Sequence, residues 1–174
     1  MAKVIKMDLS SSSIDDAIKA LKSYRDSIDA KKYRLLEELT KIGLREASVR
    51  FTTAMYDGVN DSTVRAELTH FGYTIIAEGH AVAFIEFGTG VHYPDIHPMA
   101  GELGIAHGTY GKGLGQNDYW FYTGQPGTAG GVLANGHSNT TITHGNPANM
   151  CMYYASKEMR DQVERIAKEV FTND

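Results

Sequence analysis

Cys151 is the chain's single cysteine, so no internal disulfide can form, and a free thiol fits a reducing compartment. A surplus of basic residues is also missing: 17 Lys and Arg against 21 Asp and Glu give a formal charge of -4 and an isoelectric point near 6.0. Phosphate neutralisation needs such a surplus, so neither nucleic acid nor an anionic membrane is expected as a direct ligand. Long apolar runs are absent. No segment approaches the roughly 20 residues that span a bilayer, and the opening Met-Ala-Lys-Val-Ile-Lys-Met-Asp holds no signal-peptide run, so the expected location is the cytoplasm. Hydrophobic residues at 42% and charged residues at 22% exclude global disorder. There is no internal repeat and no heptad run long enough for a coiled coil.

Catalytic signatures are lacking too. Residues 108–115, Gly-Thr-Tyr-Gly-Lys-Gly-Leu-Gly, invite a phosphate-loop reading, but Gly113 follows Lys112 where such a loop needs Ser or Thr, and Ala106 takes the place of the earlier glycine. No Gly-x-Ser-x-Gly elbow is present for nucleophilic catalysis. Paired acids such as Asp15-Asp16 and Glu37-Glu38 sit on helix surfaces, where a solvated face is the simpler reading. Five histidines, His92, His97, His107, His137 and His144, lie between residues 88 and 146. None forms a His pair at i, i+4 around a Glu; His92, His97 and Glu102 would be the first metal candidates, and hydrogen bonds to backbone account for loop histidines equally well. The expectation is a chain with no catalytic residue, no metal and no cofactor.

What is present reads as one α+β domain over 1–174. Ser10 to Ser13 followed by Asp15 and Asp16 mark a helix start near Ile14. The stripe Ile14, Ala17, Ile18, Leu21, Ile28 predicts a first helix, and Leu35, Leu36, Leu39, Ile42, Ala47, Phe51, Ala54 a second over about 31–56, stopped by Asp57-Gly58. The period then changes to two. Val64, Ala66 and Leu68 alternate with Arg65, Glu67 and Thr69; with turns at Phe71-Gly72 and Gly79-His80, residues 63–69, 73–78 and 81–87 predict a three-stranded antiparallel meander. A last helix over about 149–171, with Met152, Ala155, Met159, Val163, Ile166 and Val170 on one face, is expected to pack on that sheet.

Residues 88–146 form a long Gly-rich insertion without regular periodicity and with four charged residues only: Asp95, Glu102, Lys112 and Asp118. Disordered segments favour charge and avoid aromatics. This one carries Tyr93, Tyr110 and the run Tyr119-Trp120-Phe121-Tyr122, with the chain's one tryptophan. Amphipathic aromatics are the usual anchors of protein interfaces, so the insertion reads as an interface loop.

Two motifs carry a resemblance: residues 84–90, Phe-Ile-Glu-Phe-Gly-Thr-Gly, and residues 145–155, Gly-Asn-Pro-Ala-Asn-Met-Cys-Met-Tyr-Tyr-Ala. The pairing resembles the tail-completion, or head-tail joining, proteins of tailed bacteriophages and prophages, which carry an apolar strand ending in Glu-Phe-Gly-Thr and a later Pro-Phe-x-x-x-Ala helix start. Here Pro147 is followed by Met150, Met152 and Tyr153 instead of Phe. The resemblance spans roughly residues 35–171. It implies a ring of identical subunits, six-fold, in the neck between head connector and tail tube. DNA would pass through its centre without sequence-specific contact, in the host cytoplasm during assembly and then in the virion. Its partners would be itself, the head connector or adaptor, and the tail terminator or tail tube protein. A tail terminator or other minor tail protein is the neighbouring reading, and a small metal-dependent hydrolase using the loop histidines the distant one. The expected interface residues are Phe87, Gly88, Thr89, Gly90, Tyr93, Tyr110, Tyr119, Trp120, Phe121 and Tyr122, with Trp120 as the anchor and Phe87 also readable as core.

Overall fold

A computed structural model describes residues 4–70, 72–90, 97–105 and 117–172. It opens on helix α1, Ser11–Thr52. Ser10 caps it by accepting from the Ser13 N–H, and Asp8 accepts in turn from the Ser10 N–H at 2.8 Å. The two helices expected from the apolar stripe are one uninterrupted helix of 42 residues. Neither Gly nor Pro occurs between Ser11 and Gly43, so nothing near Ile28 can break the hydrogen-bond ladder. The helix stops at Thr53, ahead of the expected Asp57-Gly58, where Asn60 Nδ2 donates to the Phe51 carbonyl at 2.7 Å.

Strands β1, Thr63–Thr69, and β2, Gly72–Glu78, form an antiparallel hairpin. Val64 opposite Ala77, Ala66 opposite Ile75 and Leu68 opposite Tyr73 share one face, while Arg65 ties Glu78 at 2.8 Å and Glu67 on the other. The third strand of the expected meander is instead a helix, α2, Val82–Phe87. The two residues just before it are held from a distance: Asp61 accepts from the His80 N–H at 2.8 Å and the Ala81 N–H at 2.9 Å. Those bonds, with that of the His80 ring, hold the Asp61 carboxyl far below the usual carboxylate range. A short apolar run is ambiguous between strand and helix by period alone, and here the backbone takes the helical course from its N-cap Ala81.

Helix α4, Cys151–Thr172, lies chiefly along α1, burying Cys151, Ala155, Ile166 and Val170. It reaches the hairpin at Gly43: a Cβ there would stand 2.4 Å from Met159 Sδ and 2.6 Å from Ile75 Cδ1, so α1, α4 and β2 meet where α1 has no side chain. The hydrophobic core next to this point is Phe51, Ala81, Ile85 and Cys151, flanked by Ala54, Tyr56, Val64, Ala77, Val82 and Met152. Burial, and then the nearby Glu86 carboxylate, push the Cys151 thiol up to about 12.

The insertion also holds regular structure. A single turn of helix, α3, spans Ala100–Leu103, and β3 (Trp120–Thr123), β4 (Val132–Leu133) and β5 (Thr140–Thr143) form a second antiparallel sheet in the order β3-β5-β4. Strands of two to four residues are too short to show a period. Among the described residues, no helix is long and apolar enough to cross a membrane.

Candidate assembly interface

The two motifs singled out in the sequence dock on each other. Thr89 and Asn146 form an antiparallel bridge, Thr89 N to Asn146 O at 2.8 Å and Asn146 N to Thr89 O at 3.1 Å. Asn146 Nδ2 also donates to Thr89 Oγ1 at 2.9 Å. The approach is close enough to require glycine. At Gly88, with φ of 75°, a Cβ would lie 2.7 Å from Ala148 N; at Gly145, with φ of 104°, it would lie 2.1 Å from Thr89 O.

Glu86 fastens the same motif to α4. Its buried carboxylate accepts from the N–H groups of Met152 at 2.8 Å and Tyr153 at 3.0 Å, the first turn of the helix, where the dipole favours negative charge. It also meets His97 Nε2 at 3.0 Å. His97 Nδ1 accepts from the Met99 N–H at 3.0 Å, which leaves Nε2 to carry the proton donated to Glu86. Phe87 lies against the His97 ring at 4.5 Å, so it packs inward. Asn149 completes the joint: its N–H donates to Ile85 O, its Nδ2 to Met55 O, and its Oδ1 accepts from the Met55 N–H.

A second buried acid, Asp57, holds the β3-β5-β4 sheet to this joint. Its carboxylate accepts from Thr143 Oγ1 at 2.8 Å and the Ala129 N–H at 3.2 Å, and its own N–H donates to Asn146 Oδ1 at 2.6 Å. Among the described residues, Ser62 Oγ is the single buried side-chain polar atom without a hydrogen-bond partner. Asp57, Glu86 and Asn146 therefore act as structural fasteners, buried and fully bonded.

Pairing register divides the aromatic run. Trp120 stands opposite Thr143 and Tyr122 opposite Thr141, both threonines buried, so these two aromatics face inward. The Trp120 ring covers Gly90, 3.1 Å from where a Cβ would be, and Tyr122 Oη donates to Gln125 O at 2.8 Å. Phe121 stands opposite Ile142, which stands opposite Val132, and this row crosses all three strands on the outer face. Phe121 and Val132 are each 57% exposed, and Tyr119, 52% exposed, meets Phe121 edge-on at 5.9 Å. No charged residue occurs between Tyr119 and Asn146. Of the expected interface residues, Tyr119 and Phe121 are thus presented outward. Phe87, Gly88, Thr89, Gly90, Trp120 and Tyr122 build the support beneath them, and Tyr93 and Tyr110 lie outside the described residues.

Val132 and Ile142 complete the patch and were missed in the sequence, because an isolated Val or Ile in a glycine-rich stretch carries no pairing signal. Of the metal candidates, His97 is engaged by Glu86 and Met99, Glu102 is exposed on α3, and His92 lies outside the described residues. Among the described residues, no group of three or more His, Cys, Asp or Glu is placed to hold a metal ion. Compared with protein-family models, curated proteins and solved structures, the chain matches none.

Proposed function

We propose that the chain is a structural assembly subunit, a tail-completion or head-tail joining protein of a tailed bacteriophage or prophage. In this reading it forms a ring, six-fold in the family it resembles, that joins the head connector to the tail tube and catalyses no reaction. The observation that carries the proposal is the outer face of the β3-β5-β4 sheet: the uncharged row Phe121, Ile142 and Val132, with Phe121 and Val132 exposed and exposed Tyr119 against Phe121, on a fastened support. Contiguous exposed apolar surface of this kind marks interaction sites, with aromatics as anchors. A ring needs heterologous contacts, one patch meeting a different patch of its neighbour, and a face presented at one side of each subunit suits that geometry.

The two motifs of the resemblance also serve one purpose here. The Gly-Thr-Gly turn and the Gly-Asn-Pro segment lock together and place the sheet, which gives a physical reason for their pairing. The test is native mass. The chain is expected to run as a multiple of its 19.1 kDa protomer, and Phe121→Asp, which puts a charge into the row, is expected to lower that mass with the circular dichroism spectrum unchanged. An unaltered mass in Phe121→Asp would remove this face from the contact. A tail terminator would give the same mass behaviour and separates from the first reading by which partner it captures: tail tube protein alone, or head connector as well.

A further inference from the structure

The loop that joins β4 to β5 carries a pair of residues that the fold leaves untied. Asn135-Gly136 is the chain's single Asn-Gly step. Residues 135–139 are all exposed, and the hairpin they close is paired through only two residues of β4. Two backbone bonds shape the loop: the Ala134 N–H donates to Thr140 O at 2.8 Å and the His137 N–H to Ala134 O at 3.0 Å. Gly136 takes a φ of 81°, and a Cβ on it would meet nothing within 4 Å. Among the described residues, neither the Asn135 side-chain amide nor the Gly136 N–H makes a hydrogen bond. So light a closure belongs to the low end of local stability, where loops open most often.

Asparagine before glycine has a reaction available that needs only water. The Gly136 backbone nitrogen gives up its proton to solvent base and attacks Asn135 Cγ. The N–Cγ bond forms, the Cγ–Nδ2 bond breaks, and ammonia leaves with a proton from solvent. Water then opens the resulting five-membered imide at either carbonyl, to aspartate or to an isoaspartyl linkage whose main chain runs through Cβ. The attack requires a free side-chain amide, an approachable nitrogen and a following residue without a Cβ to crowd it. This turn supplies all three. Asn60, Asn146 and Asn149 instead spend their amides on Phe51 O, Thr89 Oγ1 and Met55 O. Asn117 and Asn139 precede Asp118 and the β-branched Thr140. Asp57-Gly58 could close the same ring, but the Asp57 carboxylate is buried and bonded to Thr143 and Ala129. We propose that Asn135 is a self-modification site, converting in the folded chain to aspartate and isoaspartate. An ageing protomer thereby gains a carboxylate in a stretch, 119–146, that otherwise carries no Asp or Glu.

The chemistry does not rest on the ring reading: native mass reports the ring and fragment mass reports the conversion, so either can fail alone. The test keeps full-length protein folded at mildly alkaline pH beside the same chain unfolded in guanidinium chloride. Fragment mass spectrometry locates the exchange of NH2 for OH, and an isoaspartyl methyltransferase labels the iso linkages. The folded chain is expected to convert at residue 135 within about tenfold of the unfolded rate, with no mark at residue 57. Gly136→Ala is expected to slow conversion by more than about tenfold in the unfolded chain as well, where the turn is absent and only crowding acts. Asn135→Gln, whose ring would be one atom larger, should leave the position unmarked. A folded chain that stays unmarked while the unfolded one converts, another asparagine converting ahead of Asn135, or a rate indifferent to Gly136→Ala would each overturn the proposal.

Discussion

The interior joint and the exterior of this molecule reverse the usual distribution of polarity. Inside, Glu86, His97, Asp57, Thr143 and Asn146 are buried together, each with its hydrogen bonds made. Outside, Phe121, Val132, Ile18, Leu21 and Ile28 stand in solvent. A monomeric domain of this size gains most by the opposite choice, since apolar burial is its main source of stability. The polar joint positions the β3-β5-β4 sheet without covering its outer face, and in the proposed reading those apolar residues are left for other chains. That contrast is what an assembly subunit requires: a support that specifies geometry, and faces whose burial waits for a partner.

The contrast can be broken from either side, and the interior should respond most. Phe51, 1% exposed at the centre of the core, is expected to cost about 4 kcal/mol of unfolding free energy as Phe51→Ala. Glu86→Ala strands two α4 N–H groups and the His97 ring, and should cost about 3 kcal/mol; urea denaturation measures both. Gly88→Ala forces a side chain against Ala148 N at positive φ and should cost about 2 kcal/mol while loosening the β3-β5-β4 sheet, visible as faster hydrogen exchange there. Leu21→Ser on α1 should change protomer unfolding by less than about 0.5 kcal/mol, because that side chain is 56% exposed. If Leu21→Ser destabilised an isolated protomer as much as Gly88→Ala, the distinction between covered and waiting apolar residues would fail.

Cys151 sharpens the interior side through pH. Its folded thiol ionises only near 12, against 9.0 in the unfolded chain, so between those values the unfolded chain has released a proton that the folded one retains. Stability therefore falls as pH rises through that window and is unaffected by this group below it. At pH 8 the native thiol should resist a thiol reagent until denaturant exposes it.

Much of the frame was legible in the sequence because its elements are long. The period of 3.6 in α1 and α4 and the alternation in β1 are carried by enough residues to be read directly. The continuity of α1 was not legible, since its apolar stripe thins between Ile28 and Leu35 and reads as two helices, and two further features escaped for physical reasons. α2 reads as a strand because a six-residue apolar run has no measurable helical period, and Asp61, which holds the two residues just before it, lies far upstream and belongs to no local pattern. The second sheet escaped because strands of two to four residues have no measurable period, and its place is set by Asp57 and Asn146 across 72 to 89 residues of chain. Of the candidate interface, Tyr119 and Phe121 could be named from composition. Which of the four aromatics faces outward follows from register alone, and register turned Trp120 inward over Gly90. Trp120→Ala should thus loosen the sheet before it weakens any contact between subunits.

The central claim is that this chain completes itself by packing against other chains. Native mass of the unmodified protein, followed down a concentration series beside Phe121→Asp, tests it most directly. The expected result is a multiple of 19.1 kDa that the substitution lowers. A stable 19.1 kDa particle at every concentration, identical for both proteins, would contradict it.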